Sequence, residues 1–177
     1  MFVRWLLAPL ALGAVLYAQT GVRISPRDSA ALVPPKNVVR RYCEMDAQGF
    51  RLNPEQAKRI VAVTTAASLP ETHSFDVIAR YEITAARPNA RGVEVTVTYQ
   101  VIGHFEDRVG FVPGVREDTL EFQAIPEGDD WKVEDQELLH MPRVMKAHTV
   151  RWLQSQLANE KDPDVKRSFE EAIRVLL

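Results

Sequence analysis

Apolar residues recur along this chain with two periods, and the switches between them mark out the elements. Pro34-Pro35 suits a helix start, where a missing N–H leaves nothing unbonded. From there Val38, Tyr42 and Met45 fall at i, i+4 and i+7, with Val39 and Cys43 beside them. That is one helical stripe, which Gly49 ends. Asn53-Pro54-Glu55-Gln56 offers an N-cap, a proline at the first helical position and a glutamine three after the cap. Ala57, Ile60, Val61 and Thr64 continue as the buried face of a second helix, and Leu69-Pro70 stops it.

The period then falls to two. Over 75–85 the set Phe75, Val77, Ala79, Tyr81, Ile83 alternates with Asp76, Ile78, Arg80, Glu82, Thr84, and over 93–101 Val93, Val95, Val97, Tyr99, Val101 alternate with polar residues. A third strand, 118–125, turns Leu120, Phe122 and Ala124 inward, and Glu127-Gly128-Asp129-Asp130 feeds a last strand led by Trp131 and Val133. Such alternation predicts half-buried antiparallel strands in a four-stranded meander. On strict alternation the outward face carries Asp76, Ile78, Arg80, Glu82, Glu94, Thr96 and Thr98. It is too polar for an obligate interface, which predicts a monomer or a weak dimer. After Pro142 the helical period returns with Val150, Leu153 and Leu157, flanked by Met145 and Trp152. Asp162-Pro163 caps a further helix with Val165, Phe169, Ile173 and Leu176 on one side. Its stripe is too apolar to stand in water, so this hairpin, 140–177, is expected to pack on the domain at 34–139.

Residues 1–18 have a positive start at Arg4 and an uncharged apolar run from Trp5 to Tyr17, the layout of a secretory signal peptide. As a helix the run reaches only ~20 Å, short of a ~30 Å hydrocarbon core. The expectation is an exported protein, periplasmic or secreted, cut after Ala18, with a linker at 19–33 and no stable membrane span once the leader is gone. Leu16 is larger than the residue usual at its place in a cleavage site, so uncleaved retention is the alternative.

Composition narrows the chemistry. The net charge is −2 over 177 residues, which leaves no electrostatic footprint for nucleic acid. One cysteine excludes a disulfide framework, and Cys43, in the helical stripe, reads as a buried thiol against the alternative of a reactive one. The four histidines show no metal-binding spacing, so no metal and no cofactor are expected.

Two covering helices followed by a curved antiparallel meander resemble the NTF2-like (cystatin-like α+β) superfamily. Val38-Val39-Arg40-Arg41-Tyr42 with the turn at Gly49 resembles the first helix of its ketosteroid isomerase and SnoaL-like branches. Asp130-Trp131-Lys132-Val133 resembles its final strand. The resemblance covers 35–139 and implies a cone whose mouth, between helices and concave sheet, holds ligands, catalytic groups or partners. It places Tyr42 where the isomerase branch has an oxyanion donor. That mechanism needs a carboxylate base after the second helix and a protonated acid in the sheet. Thr64-Thr65-Ala66-Ala67-Ser68 holds no acid, and the inward strand positions are Val, Tyr, Leu, Phe and Ala.

Other candidates have plain alternatives. His73 sits near Asp76 in sequence, but without a nucleophile motif it reads as a solvated loop histidine. His148 reads as a boundary residue of its helix, Glu44 and Asp46 as a solvated helix flank, and 127–130 as a hairpin turn with too few ligands for calcium. Residues 103–116 hold three of the eight glycines together with Phe105 and Phe111, and read as a long connection at the lip of the cone. The expectation is a non-enzymatic binding module holding an apolar small molecule or an envelope partner, with Tyr42, Tyr81, Tyr99, Phe105, Phe111, Phe122 and Trp131 as its wall. The alternative is an isomerase- or cyclase-type enzyme using Tyr42. Protease inhibition of the cystatin kind lacks a recognisable inhibitory loop.

Overall fold

The computed structural model describes residues 32–134 and 140–177. The expected leader at 1–18 and linker residues 19–31 lie outside the described residues.

Helix α1 spans Val33–Ala47, with Pro34 and Pro35 in its first turn. Gly49 reverses the chain with a left-handed φ of 80°, which a side chain would disfavour. A 3-10 turn, Phe50–Leu52, leads into α2, Pro54–Val61. The Asn53 side chain accepts from the backbone N–H of Glu55 at 3.0 Å and of Gln56 at 3.4 Å, so the cap read from the sequence is formed. Helix α2 is shorter than its apolar pattern suggested. Thr64 instead bridges to Val133 in parallel, tying the chain after α2 to the sheet.

The sheet comprises β1 (Ser74–Asn89), β2 (Gly92–Glu106), β3 (Gly110–Glu127), β4 (Asp130–Val133) and β5 (Arg143–Met145), in the order β4-β3-β2-β1-β5. The antiparallel meander is thus joined by a fifth strand parallel to β1. Curved into a half-barrel and flanked by helices, the sheet is cone-like and consistent in general terms with an NTF2-like type of fold. Residues 103–116 are no loop: β2 and β3 continue through them as a long hairpin that turns at 107–109. Gly103 makes this pairing possible, since a Cβ there would sit 2.4 Å from the Phe111 ring.

Two cores form. The first packs Val39, Tyr42, Cys43 and Met45 of α1 and Ile60 of α2 onto Ile78, Val95, Val97, Tyr99 and Phe122. The second lies under the C-terminal hairpin of α3 (Lys146–Leu157) and α4 (Pro163–Leu176), where Val150, Leu153, Phe169 and Leu176 bury Phe75, Val77 and Phe105. Trp152 meets Phe75 and Phe105 edge-on, at centroid distances of 5.5 and 5.7 Å. Asp162 caps α4, accepting from Asp164 N–H at 2.9 Å.

Candidate functional site

Alternation along β1 and β2 is interrupted, and this decides what lines the half-barrel. The β1–β2 register shifts between Val77 and Ile78, between Ile78 and Arg80, and between Ile83 and Ala85. Each irregularity adds a residue to one strand and inverts the facing of the residues beyond it. Tyr81 and Ile83 point into the first core as expected, whereas Ala79 is exposed and Ile78 takes its place inside. Asp76 accompanies Ile78 on that face, and Phe75 and Val77 turn to the opposite one. Strand β5 reports the same division: Val77 pairs with Val144 in the second core, Ile78 with Met145 against the first, and Asp76 with Arg143. The outward placement of Asp76 and Ile78 is thereby overturned.

The result is a polar mouth on the concave face. The Asp76 carboxylate, almost wholly buried, lies 3.3 Å from His104 Nδ1 and accepts from Arg116 Nη2 at 2.6 Å. Beside it, Arg143 pairs with Asp118 and sets its guanidinium 4.7 Å from the centre of the Tyr99 ring. The Arg143 backbone N–H donates to Asp46 Oδ2 at 2.9 Å, and its side chain to the Met141 carbonyl at 3.1 Å. Asp46 is 5% exposed and therefore not the solvated flank its sequence position suggested, because β5 and the chain leading into it close over that side of α1. Glu44, on the other side, is exposed. Arg51 reaches the same region, donating to the His140 carbonyl at 2.9 Å and hydrogen-bonding Tyr42.

Burial sets the acidities beneath the mouth. Desolvation pushes the Tyr42 phenol well above its ordinary value, Asp46 adding to the rise and Arg51 opposing it. Burial drives Tyr99 upward too, and the Cys43 thiol, 3.3 Å from the Tyr99 hydroxyl, up to about 12. Desolvation raises Asp46, against the pull of the Arg51 and Arg143 cations. Tyr42 and Tyr99 therefore stay neutral near pH 7 and act as hydrogen-bonding groups, not bases. Among the described residues no three His, Cys, Asp or Glu side chains are placed to hold a metal ion.

The seven wall residues divide between the two cores: Tyr42, Tyr81, Tyr99, Phe122 and Trp131 belong to or pack against the first, and Phe105 and Phe111 go with the second. Tyr42, Tyr99 and Phe122 are 2–3% exposed and fill the first core, with Tyr42 and Phe122 ring centres 5.5 Å apart. Tyr81 packs at the core edge, 6.0 Å from Tyr99, its phenol raised by burial to about 12. Phe105 and Phe111 belong to the second core, because the register shift at Val101/Gly103 turns them to the far face. Trp131 stands at the opposite end of α1 from Asp46, in a cleft with Pro34, Val38 and Arg41. Of the residues that do meet at the mouth, Asp76 figures in the sequence reading only as a neighbour of His73 and on the outward face, and His104, Arg116, Asp118 and Arg143 escape it. Only the bulges bring them together; Gly103 is a local sign of the one in β2, while nothing in the residues of β1 announces the one at Ile78/Arg80. His73 is exposed, 3.5 Å from Asp107, and the partner of Asp76 is His104 instead. His148 is held lower in pKa by partial burial and then by Arg151, away from the mouth.

No protein family matches this chain, and neither the curated proteins nor the solved structures include a match to it.

Proposed function

We propose that this protein is an exported, non-enzymatic binding module of the NTF2-like kind that holds an apolar ligand or an envelope partner at the mouth of its half-barrel. The lip carries the reading. Val112, in register with His104, is 48% exposed, Val115 is 79% exposed, and about half of the adjacent Arg116 side chain stands in water. Apolar side chains in water beside an arginine have the composition of a recognition surface. The acids of the mouth already have partners: Asp76 has the Arg116 guanidinium and the His104 ring, and Asp118 has Arg143. A general base needs a free lone pair aimed at its substrate, and these carboxylates are spent on one another's partners. The leader-like run at 1–18 supports export.

Photocrosslinking in the native host tests this. A photoreactive residue at position 115 is expected to give a discrete adduct, protein or lipid, that is lost with Arg116→Glu. The same residue at position 94, away from the lip, is expected to give none. Identical patterns from both positions would overturn the reading.

The isomerase- or cyclase-type alternative draws on one observation, the buried Asp46 one helical turn from Tyr42. Turnover of ketosteroid-like or polyketide-like substrates that disappears in Tyr42→Phe would replace the binding module by an enzyme.

A further inference from the structure

We propose that the cleft between α1 and the β3–β4 turn, separate from the mouth, binds a small zwitterion: an α-amino acid or a dipeptide with an apolar side chain. The cleft holds about 310 Å3, and its walls include Val38, Arg41, Val63, Asp129, Asp130 and Trp131. That is the low end of small-molecule sites, which suits a guest of this size.

The charges of the two walls select the guest. Arg41 lines the cleft from α1, Asp129 and Asp130 line it from the turn opposite, and among the described residues none of the three makes an ion pair or a side-chain hydrogen bond. Lys132, the other cation of the lining, is occupied: its Nζ donates to the Ala62 carbonyl at 2.6 Å and lies 3.8 Å from Glu127. A lone anion entering the cleft would face both carboxylates, and a lone cation would face Arg41. An uncharged apolar molecule would strip water from all three and return nothing. A zwitterion satisfies both walls at once, its carboxylate on the planar guanidinium fork and its ammonium between the two aspartates. The floor fits the remainder. Val38 and Val63 are apolar, and the half-buried Trp131 adds aromatic surface against which an aliphatic or aromatic side chain can pack. The charges are exposed, so each contact is weak alone and affinity comes from making all of them together.

The test is an NMR titration of the full mature chain, read at the Trp131 indole N–H. The probes are L-phenylalanine, phenylalanyl-alanine and N-acetyl-phenylalaninamide, the last lacking both charges. Phenylalanine or the dipeptide is expected to shift the Trp131 signal saturably, with a Kd of about 1 mM or tighter. Whichever of the two binds more tightly identifies the guest as amino acid or peptide. The uncharged amide is expected to bind at least about tenfold more weakly, the loss expected from removing one charge-assisted hydrogen bond. Arg41→Gln and Asp129→Asn/Asp130→Asn should each weaken the zwitterion about tenfold and leave the amide unchanged. All of these positions are exposed, so the fold is expected to survive, with unshifted signals from the second core as the control. Equal binding of amide and zwitterion would overturn the proposal, as would no saturable shift up to about 10 mM. Arg116→Glu should leave this binding intact while altering the mouth, which separates failure here from failure of the binding-module reading.

Discussion

Val77 and Ile78 are neighbours in β1, neither has any exposed surface, and they are buried in different cores. Ile78 packs with α1, and Val77 packs with the C-terminal hairpin. The sheet is therefore covered on both sides at this point, and each cover depends on the other through one strand.

Removing the hairpin should accordingly abolish the fold. A chain ending at Met145 loses Val150, Leu153, Phe169 and Leu176, at about 1.5–3 kcal/mol each, and uncovers Phe75, Val77 and Phe105. That rivals the about 5–15 kcal/mol by which domains of this size are stable. The truncated chain is expected to show no cooperative thermal transition. A melt within a few degrees of the longer chain would contradict the shared core.

Asp46 should give stability a pH dependence of unusual sign. Its folded pKa is raised by burial, so the native state holds the proton more tightly than the unfolded chain does. The stability linked to Asp46 is then complete below the unfolded value of about 4 and is lost as pH rises through the raised folded pKa. The comparison is with Asp46→Asn, which isolates this carboxyl from every other titrating group. Urea denaturation from pH 4 to 8 should show the variant gaining on the wild type as pH rises. A difference that stays flat, or moves toward the wild type as pH rises, would mean that Arg51 and Arg143 compensate the buried carboxylate in full.

Two glycines of the β2–β3 hairpin should respond in opposite ways to alanine. At Gly103 a Cβ would strike the Phe111 ring at 2.4 Å and the Val112 carbonyl at 2.6 Å, both in a paired region that cannot yield. Gly103→Ala is expected to cost about 1–3 kcal/mol by overpacking. Gly114 has nothing within 4 Å of the same position, so Gly114→Ala should stay within about 0.5 kcal/mol of wild type. Equal melting temperatures for the two variants would show the hairpin to be looser than its register implies.

The Cys43 thiol should be inert until the protein unfolds. It is 1% exposed, burial pushes its pKa up to about 12, and the thiolate is the reactive form. Ellman's reagent at pH 8 is expected to label it only at the rate of opening, and quickly in denaturant. Fast labelling of the native protein would place Cys43 outside the core.

The sequence by itself determined everything whose cause lies within one element. The stripe of α1, its end at Gly49, the caps at Asn53 and Asp162, the existence of β1 to β4 and the burial of Cys43 all derive from helical or strand period and from backbone groups satisfied a few residues away. Only the tertiary structure decided the features that depend on two elements meeting. Residues 103–116 look like a loop because their glycines break the alternation, yet Gly103 is the residue that lets Phe111 lie across β2. Strand β5 is too short to show a period and exists because β1 has a free edge for it. Asp46 is polar at the margin of its helix, and it is buried because β5 closes over it. The bulges at Ile78/Arg80 and Val101/Gly103 matter most: a bulge belongs to the register between strands, and one extra residue turns Asp76 and His104 inward to meet Arg116.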